Sequence, residues 1–314
     1  MQQRSQVLAP VRTASAAALT IVMLAALTAC GGGGGSSTPA TVSTMSVAAT
    51  RYGTPALVTI NGTSLGNLSL TAPGCKNVTR LTAAPTASTD TTAYFSCTPS
   101  GAYTSTVSAV TNGTTLTSQT LTVPAPIVTM TVSGGGGGTV NGTIVFNLRG
   151  DKAPITVDNF LAYVNSGTSP TNGFYVGTIF HRVVAGFVVQ GGGYGAATSG
   201  TLPTVKTPLY APITLETTGG SNVQWTAAMA RTADDNSATS QFFFNLADNH
   251  VALDKGASTD GYAVFADVTA SAAVVQSIAA AAPCTALLSA GLPLSDGSCV
   301  PIPNVAITSV SQTQ

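Results

Sequence analysis

Between residues 38 and about 125, apolar and polar positions alternate in short runs separated by turn residues, the pattern of half-buried strands. Ala56-Leu57-Val58-Thr59-Ile60 runs into Asn61-Gly62, and a long Thr-rich run, Thr115 to Val123, follows Asn112-Gly113. Both Asn-Gly pairs read as hairpin turns. The spacing predicts a small β-sandwich, loosely immunoglobulin-like, over residues 39–125. Pro124-Ala125-Pro126 and the glycine run Gly134–Gly138 then delimit a linker over 126–138. Beyond it the period changes. Ile144, Phe146 and Leu148 share one face of a strand, while Val157, Phe160, Leu161 and Val164 recur at helical spacing behind Thr156 as N-cap. Ser271–Ala282 is a second helix, presenting Val274, Val275 and Ile278, and Ile302–Gln314 a final strand. Strands around two helices with long loops suit a closed β-barrel capped at its ends, over 139–314.

Charge narrows the function classes. Only 7% of residues are charged and the formal net charge is zero, so a phosphate backbone finds no basic surface and nucleic acid is not an expected partner. No Walker-type loop and no His/Cys cluster with metal spacing occurs, so neither a cofactor nor a metal is expected. Residues 1–29 read as a targeting segment. Arg4 and Arg12 precede an apolar run, Ala14–Ala26, too short to span a bilayer and suited to a signal peptide. The run ends in Leu27-Thr28-Ala29-Cys30, which resembles a bacterial lipobox. That resemblance implies cleavage before Cys30 and acylation of Cys30, with 30–38 as a Gly/Ser tether. The expected location is the cell envelope, anchored by lipid and facing the periplasm or cell surface. Gly31, in place of an Asp after the Cys, tilts the choice towards the outer membrane. With Cys30 set aside, four cysteines remain in a compartment where disulfides persist. Sequence proximity favours Cys75–Cys97 and Cys284–Cys299 over the crossed pairings.

The chemistry is concentrated in Phe180-His181-Arg182-Val183-Val184-Ala185-Gly186-Phe187-Val188-Val189-Gln190-Gly191-Gly192-Gly193. Arg182, Val184 and Gln190 share a face if the turn at Ala185-Gly186 keeps register. By itself, a lone Arg followed by a Gln is usually a solvated strand residue or an ion-pair partner. The stretch is similar to the signature of the cyclophilins, and more of that family's pattern follows in order. Ala228-Met229-Ala230-Arg231-Thr232-Ala233-Asp234 and Ser237–Asn245 resemble its second signature in bacterial form. Leu253-Asp254 and Gly261-Tyr262-Ala263-Val264-Phe265 come after them.

The resemblance implies an eight-stranded antiparallel barrel with a helix at each end, and a peptidyl-prolyl cis-trans isomerase with proline-containing polypeptides as partners. It implies that Arg182 is the catalytic guanidinium, that Gln190 holds it or the substrate carbonyl, and that Phe187, Phe243 and Leu253 line a proline pocket. Ala230, Arg231 and Gln241 would form the rim that receives the peptide backbone. Met229, Val188, Tyr262 and His181 are further expected substrate contacts, His181 as a structural neighbour because the chemistry asks for no base. A monomer is expected.

The residue types make physical sense. The X–Pro amide resists rotation by about 20 kcal/mol because its nitrogen lone pair is delocalised. Twisting localises that lone pair and makes the nitrogen an acceptor, so a fixed guanidinium donor binds the twisted state better than the planar one. Three positions depart from the family pattern. Ala252 stands where an aromatic usually precedes Leu-Asp, Tyr262 replaces a His, and Ala185 replaces a Pro. Ala252 keeps open a non-catalytic peptide-binding or scaffold role, and the sandwich could itself be an adhesin-like binder. Trp225 reads as packing, and Asp234-Asp235 as a solvated acidic pair.

Overall fold

The computed structural model describes residues 38–135, 138–196, 203–217, 220–256, 259–281, 300–301 and 303–314. Cys30, Cys284 and Cys299 lie outside these residues.

The N-terminal part is built from seven strands: β1 (Thr41–Val47), β2 (Ala56–Thr63), β3 (Ser69–Thr71), β4 (Cys75–Arg80), β5 (Thr92–Pro99), β6 (Thr104–Thr111) and β7 (Thr114–Thr122). They form one sheet of order β1-β2-β5-β4 and another of order β3-β6-β7. This is the strand distribution of an immunoglobulin constant-type sandwich. Alternation built it: Ala56, Val58 and Ile60 turn inward from β2, and Ala93, Phe95 and Cys97 from β5. The two Asn-Gly pairs diverge. Asn112 and Gly113 both take positive φ, 47° and 76°, and close the β6–β7 hairpin. Asn61-Gly62, expected as a turn, instead continues β2. A register shift in β1 faces it, and a Cβ on Gly62 would lie 1.8 Å from the Thr41 carbonyl oxygen. Cys75 and Cys97 are joined, with Cα atoms 5.5 Å apart, across neighbouring strands of one sheet and not between the two sheets.

The second part is a closed barrel. Its strands are β8 (Ile127–Gly134), β9 (Val140–Leu148), β10 (Thr178–Val184), β11 (Val188–Gly195), β12 (Thr226–Met229), β13 (Phe242–Asn245), β14 (Val264–Asp267) and β15 (Val305–Gln312). They run around the wall in the order β10-β11-β13-β12-β14-β9-β8-β15. The linker expected over 126–138 is therefore corrected: β8 is a full barrel strand. Its Val128, Met130 and Val132 are fully buried, and it pairs with β9 on one side and the distant β15 on the other.

Helix α1 (Pro154–Val164) closes one end and α3 (Ala272–Ala280) packs near β9; α2 (His250–Leu253) is a single turn beside the groove described below. Thr156, expected as N-cap of α1, lies inside its first turn; Pro154 opens the helix. The free amides are met from a distance. The Glu216 carboxylate accepts from Ile155 N–H at 3.1 Å, and from Thr156 N–H and Oγ1, each at 2.7 Å. The barrel interior is aromatic: Phe160 on α1 meets Phe146, Tyr175, Phe242 and Phe265 at centroid distances of 4.8–5.9 Å.

Sandwich and barrel share a continuous buried core. Tyr52 is 0% exposed at the seam, its ring against Gly150 and its hydroxyl accepting from Gly101 N–H at 2.8 Å. Tyr103 donates across to the Leu148 carbonyl at 3.0 Å, and Asp158 receives Ser100 at 2.8 Å and Lys76 at 2.7 Å.

Candidate active site

The groove forms where β10 turns into β11. Gly186, at φ 70°, makes the turn, and the register across it pairs Arg182 with Gln190 and Val184 with Val188. The condition for a shared face is therefore met. On β13, Phe243 pairs with Gln190 and Ala228, so the alternation that sends Phe242 and Phe244 into the barrel sends Phe243 outward. Phe243 joins Val188, Ala228, Leu253 and Val264 in a small apolar cluster separate from the main core, with Phe187, Ala230 and Tyr262 packed on it. Above this cluster a cavity of about 240 Å³ is lined by Arg182, Phe187, Val188, Gln190, Ala230, Arg231, Phe243, Leu253 and Tyr262.

Nine of the expected site residues thus converge. Three do not line the cavity. Met229 follows strand alternation into the main core at 1% exposure, because Ala228 and Ala230 take the outward positions. His181, one residue from Arg182, is buried against Tyr194, the two rings tilted by 46° with centroids 4.4 Å apart. Gln241 stands behind Gln190, whose Nε2 donates to Gln241 Oε1 at 2.9 Å. Ala252 is exposed on α2 and contributes no wall.

Arg182 Nη1 lies 3.5 Å from Gln190 Oε1, the long limit of a hydrogen bond. Arg231 is held firmly. Its Nε donates to the Gly261 carbonyl at 2.9 Å, its Nη1 lies 3.2 Å from Asp235, and its guanidinium covers the Tyr262 ring at 4.8 Å. Asp235, expected to be solvated, is therefore an ion-pair partner of the rim.

Sequence reasoning missed the support beneath the groove. Asn249 Nδ2 donates to the Phe187 carbonyl and to Asn245 Oδ1, both at 2.8 Å. Asn245 continues the chain to Asn222 at 3.2 Å, and Asn222 donates to Asp254 and to the Leu253 carbonyl at 2.8 and 3.1 Å. The network ties the Phe187 turn to the Leu253 wall. Burial works against the Asp254 carboxylate, but the hydrogen bonds from Ser221 and Asn222 outweigh it and hold its pKa below the ordinary carboxylate range. The one signal in the sequence was the placement of Asn222, Asn245 and Asn249 beside apolar runs, where an Asn needs partners.

Burial pushes the His181 pKa down to about 4, helped by the nearby Arg182 charge. The unfolded chain takes up that proton near pH 6.5, the folded one only near 4. Stability is therefore unaffected above pH 7 and falls as pH drops from about 6.5 to 4, by about 3 kcal/mol in all. Denaturant titrations should show that His181→Phe removes this part of the acid sensitivity. An unchanged difference between wild type and variant across that range would contradict the assignment.

The model of the cyclophilin type peptidyl-prolyl cis-trans isomerase/CLD family matches residues 127–311, more than half of the chain. The chain belongs to this family. The match starts at β8, in agreement with the barrel's extent. Peptidyl-prolyl cis-trans isomerase A of Dickeya dadantii is 47% identical over 129 residues, covering 40% of this chain and 60% of that protein. A peptidyl-prolyl cis-trans isomerase of Streptomyces antibioticus is 45% identical over 141 residues, covering 44% and 77%. Peptidyl-prolyl cis-trans isomerase B of Escherichia coli is 42% identical over 143 residues, covering 45% and 80%. The chain thus spans less than two thirds of the Dickeya protein. Among solved structures, a cyclophilin type isomerase of Cryptosporidium parvum covers 60% of this chain and 98% of its own, at 19% identity and a TM-score of 0.42.

Proposed function

We propose that the cyclophilin barrel catalyses rotation about X–Pro bonds in unfolded exported polypeptides. The observation that carries this is the placement of Arg182 and Gln190 at the edge of an apolar pocket made by Phe187, Phe243 and Leu253. The pocket grips the pyrrolidine ring and keeps water from the prolyl nitrogen. As the amide twists, Arg182 donates to the nitrogen lone pair, an interaction absent from the planar ground state. Gln190 Oε1 keeps the guanidinium near the groove. Bond rotation calls for no nucleophile and no general base. The test is refolding of a protein whose slow phase is limited by a prolyl bond. Catalytic amounts of this chain should speed that phase and leave its amplitude unchanged; an unchanged rate would reduce the barrel to a peptide-binding module.

The same proposal places the enzyme in the cell envelope, held by lipid on Cys30 through the Gly31–Ser37 tether. The support is the Leu27-Thr28-Ala29-Cys30 run and the Gly/Ser-rich segment after it. A single acyl chain holds a membrane only marginally, so more than one is expected. Mass spectrometry of the mature protein should find acylated Cys30 as the first residue. A mature chain beginning elsewhere, without lipid mass, would exclude the anchor.

A further inference from the structure

We propose that Gln241 is a positioning residue for this isomerase site: it sets the direction of the Gln190 amide, and Gly193 lacks a side chain so that Gln241 can stand there. The inference rests on the isomerase reading and adds a role that acts through Gln190.

A glutamine amide is nearly symmetric in shape but opposite in chemistry at its two ends. If Gln190 were reversed, its NH₂ would face the Arg182 guanidinium, donor against donor, and the contact between Arg182 and Gln190 Oε1 would be lost. Nothing among the apolar walls of the groove chooses between the two directions. Gln241 does, because its Oε1 accepts from Gln190 Nε2 at 2.9 Å and leaves only Gln190 Oε1 to face Arg182.

Space makes the arrangement possible. A Cβ on Gly193 would lie 2.4 Å from Cγ and Cδ of Gln241 and 2.7 Å from its Nε2. Gly192 beside it needs glycine for its φ of 83°, but Gly193 has no positive φ. The backbone there admits alanine, and what an added methyl would displace is a side chain able to swing away. Gly193→Ala is therefore a substitution that should fold while removing the Gln190–Gln241 bond.

The experiment compares wild type, Gly193→Ala, Gln241→Ala, Gln241→Glu and the Gly193→Ala/Gln241→Ala double variant. It measures kcat and KM on an Ala-Pro peptide, side-chain amide NMR resonances of Gln190, and melting temperature. Gly193→Ala and Gln241→Ala should each lower kcat about three- to tenfold with KM within about twofold. The double variant should be no slower than the slower single one, since both break the same link. Gln241→Glu, which keeps an acceptor oxygen, should recover most of the loss. In NMR, the Gln190 NH₂ resonances should shift alike in both alanine variants and stay near their wild-type positions in Gln241→Glu. Additive losses, unaltered Gln190 resonances, or a raised KM at constant kcat would overturn the proposal, the last by making Gln241 a direct substrate contact. An inactive wild type would defeat the isomerase reading, and the NMR comparison would still decide the amide direction.

Discussion

Replacing Arg182 by alanine is expected to lower kcat/KM on an X–Pro peptide by a factor on the order of 10² to 10³, the range for losing one donor aimed at charge that develops only in the transition state. The donor's value comes from timing. A planar prolyl nitrogen accepts no hydrogen bond, so Arg182 contributes little to ground-state binding and the loss should fall mainly on kcat. Arg182→Lys should also lose most of the activity, because an ammonium on a flexible stem does not reproduce the planar fork beside Gln190. Melting temperature should hardly move in either variant, since the walls of the groove are closed by Phe243, Leu253 and the Asn222–Asn245–Asn249 network without the guanidinium. Undiminished turnover in Arg182→Ala would leave an isomerase that works without a guanidinium donor at the prolyl nitrogen.

The largest stability effect is expected at Tyr52. Tyr52→Ala should lower the free energy of unfolding by about 3–5 kcal/mol, the range for truncating a fully buried aromatic ring. It removes the edge contact with Tyr103, whose centroid is 6.0 Å away, and leaves Gly101 N–H without its acceptor. Tyr52→Phe keeps the ring and should cost only about 1 kcal/mol. Because Tyr52 belongs to the sandwich and Trp225, the single Trp of the chain, precedes β12 of the barrel, fluorescence reports on the partner of the altered part. A lowered fluorescence midpoint in Tyr52→Ala would show that the two parts unfold together. A midpoint that stays put while circular dichroism shows loss of the sandwich would mean that the seam transmits no stability.

Much of the groove was legible in the chain because it is local. Arg182, Phe187 and Gln190 lie within nine residues around one turn, and the Gly186 turn keeps their register. Alternation places Phe243 outward, and the same parity in Ala228-Met229-Ala230 sends Met229 inward. The parts that escaped depend on distant partners. Strand β8 alternates cleanly in Val128, Met130 and Val132, but prolines before it and glycines after it read as a linker. Pairing with β9 and with β15, the latter nearly the whole barrel away in sequence, makes it a wall. Glu216 as the cap of α1 and Gln312 as donor to the Tyr52 carbonyl at 3.0 Å are likewise long-range. Asn61-Gly62 shows the converse: a strong local turn signal was overridden because the strand gained cross-strand partners, Asn61 donating to Thr44 and accepting from Thr92.

Whether this groove twists prolyl bonds can be measured at equilibrium, without a coupling enzyme. Two-dimensional NMR exchange on an Ala-Pro peptide, with substoichiometric mature protein, follows cis–trans interconversion directly. Uncatalysed, that exchange takes tens to hundreds of seconds. Exchange cross-peaks should appear within a sub-second mixing time, with the cis:trans ratio unchanged, and should vanish in Arg182→Ala. Peptide resonances that shift on binding while exchange stays at the uncatalysed rate would contradict catalysis by this groove.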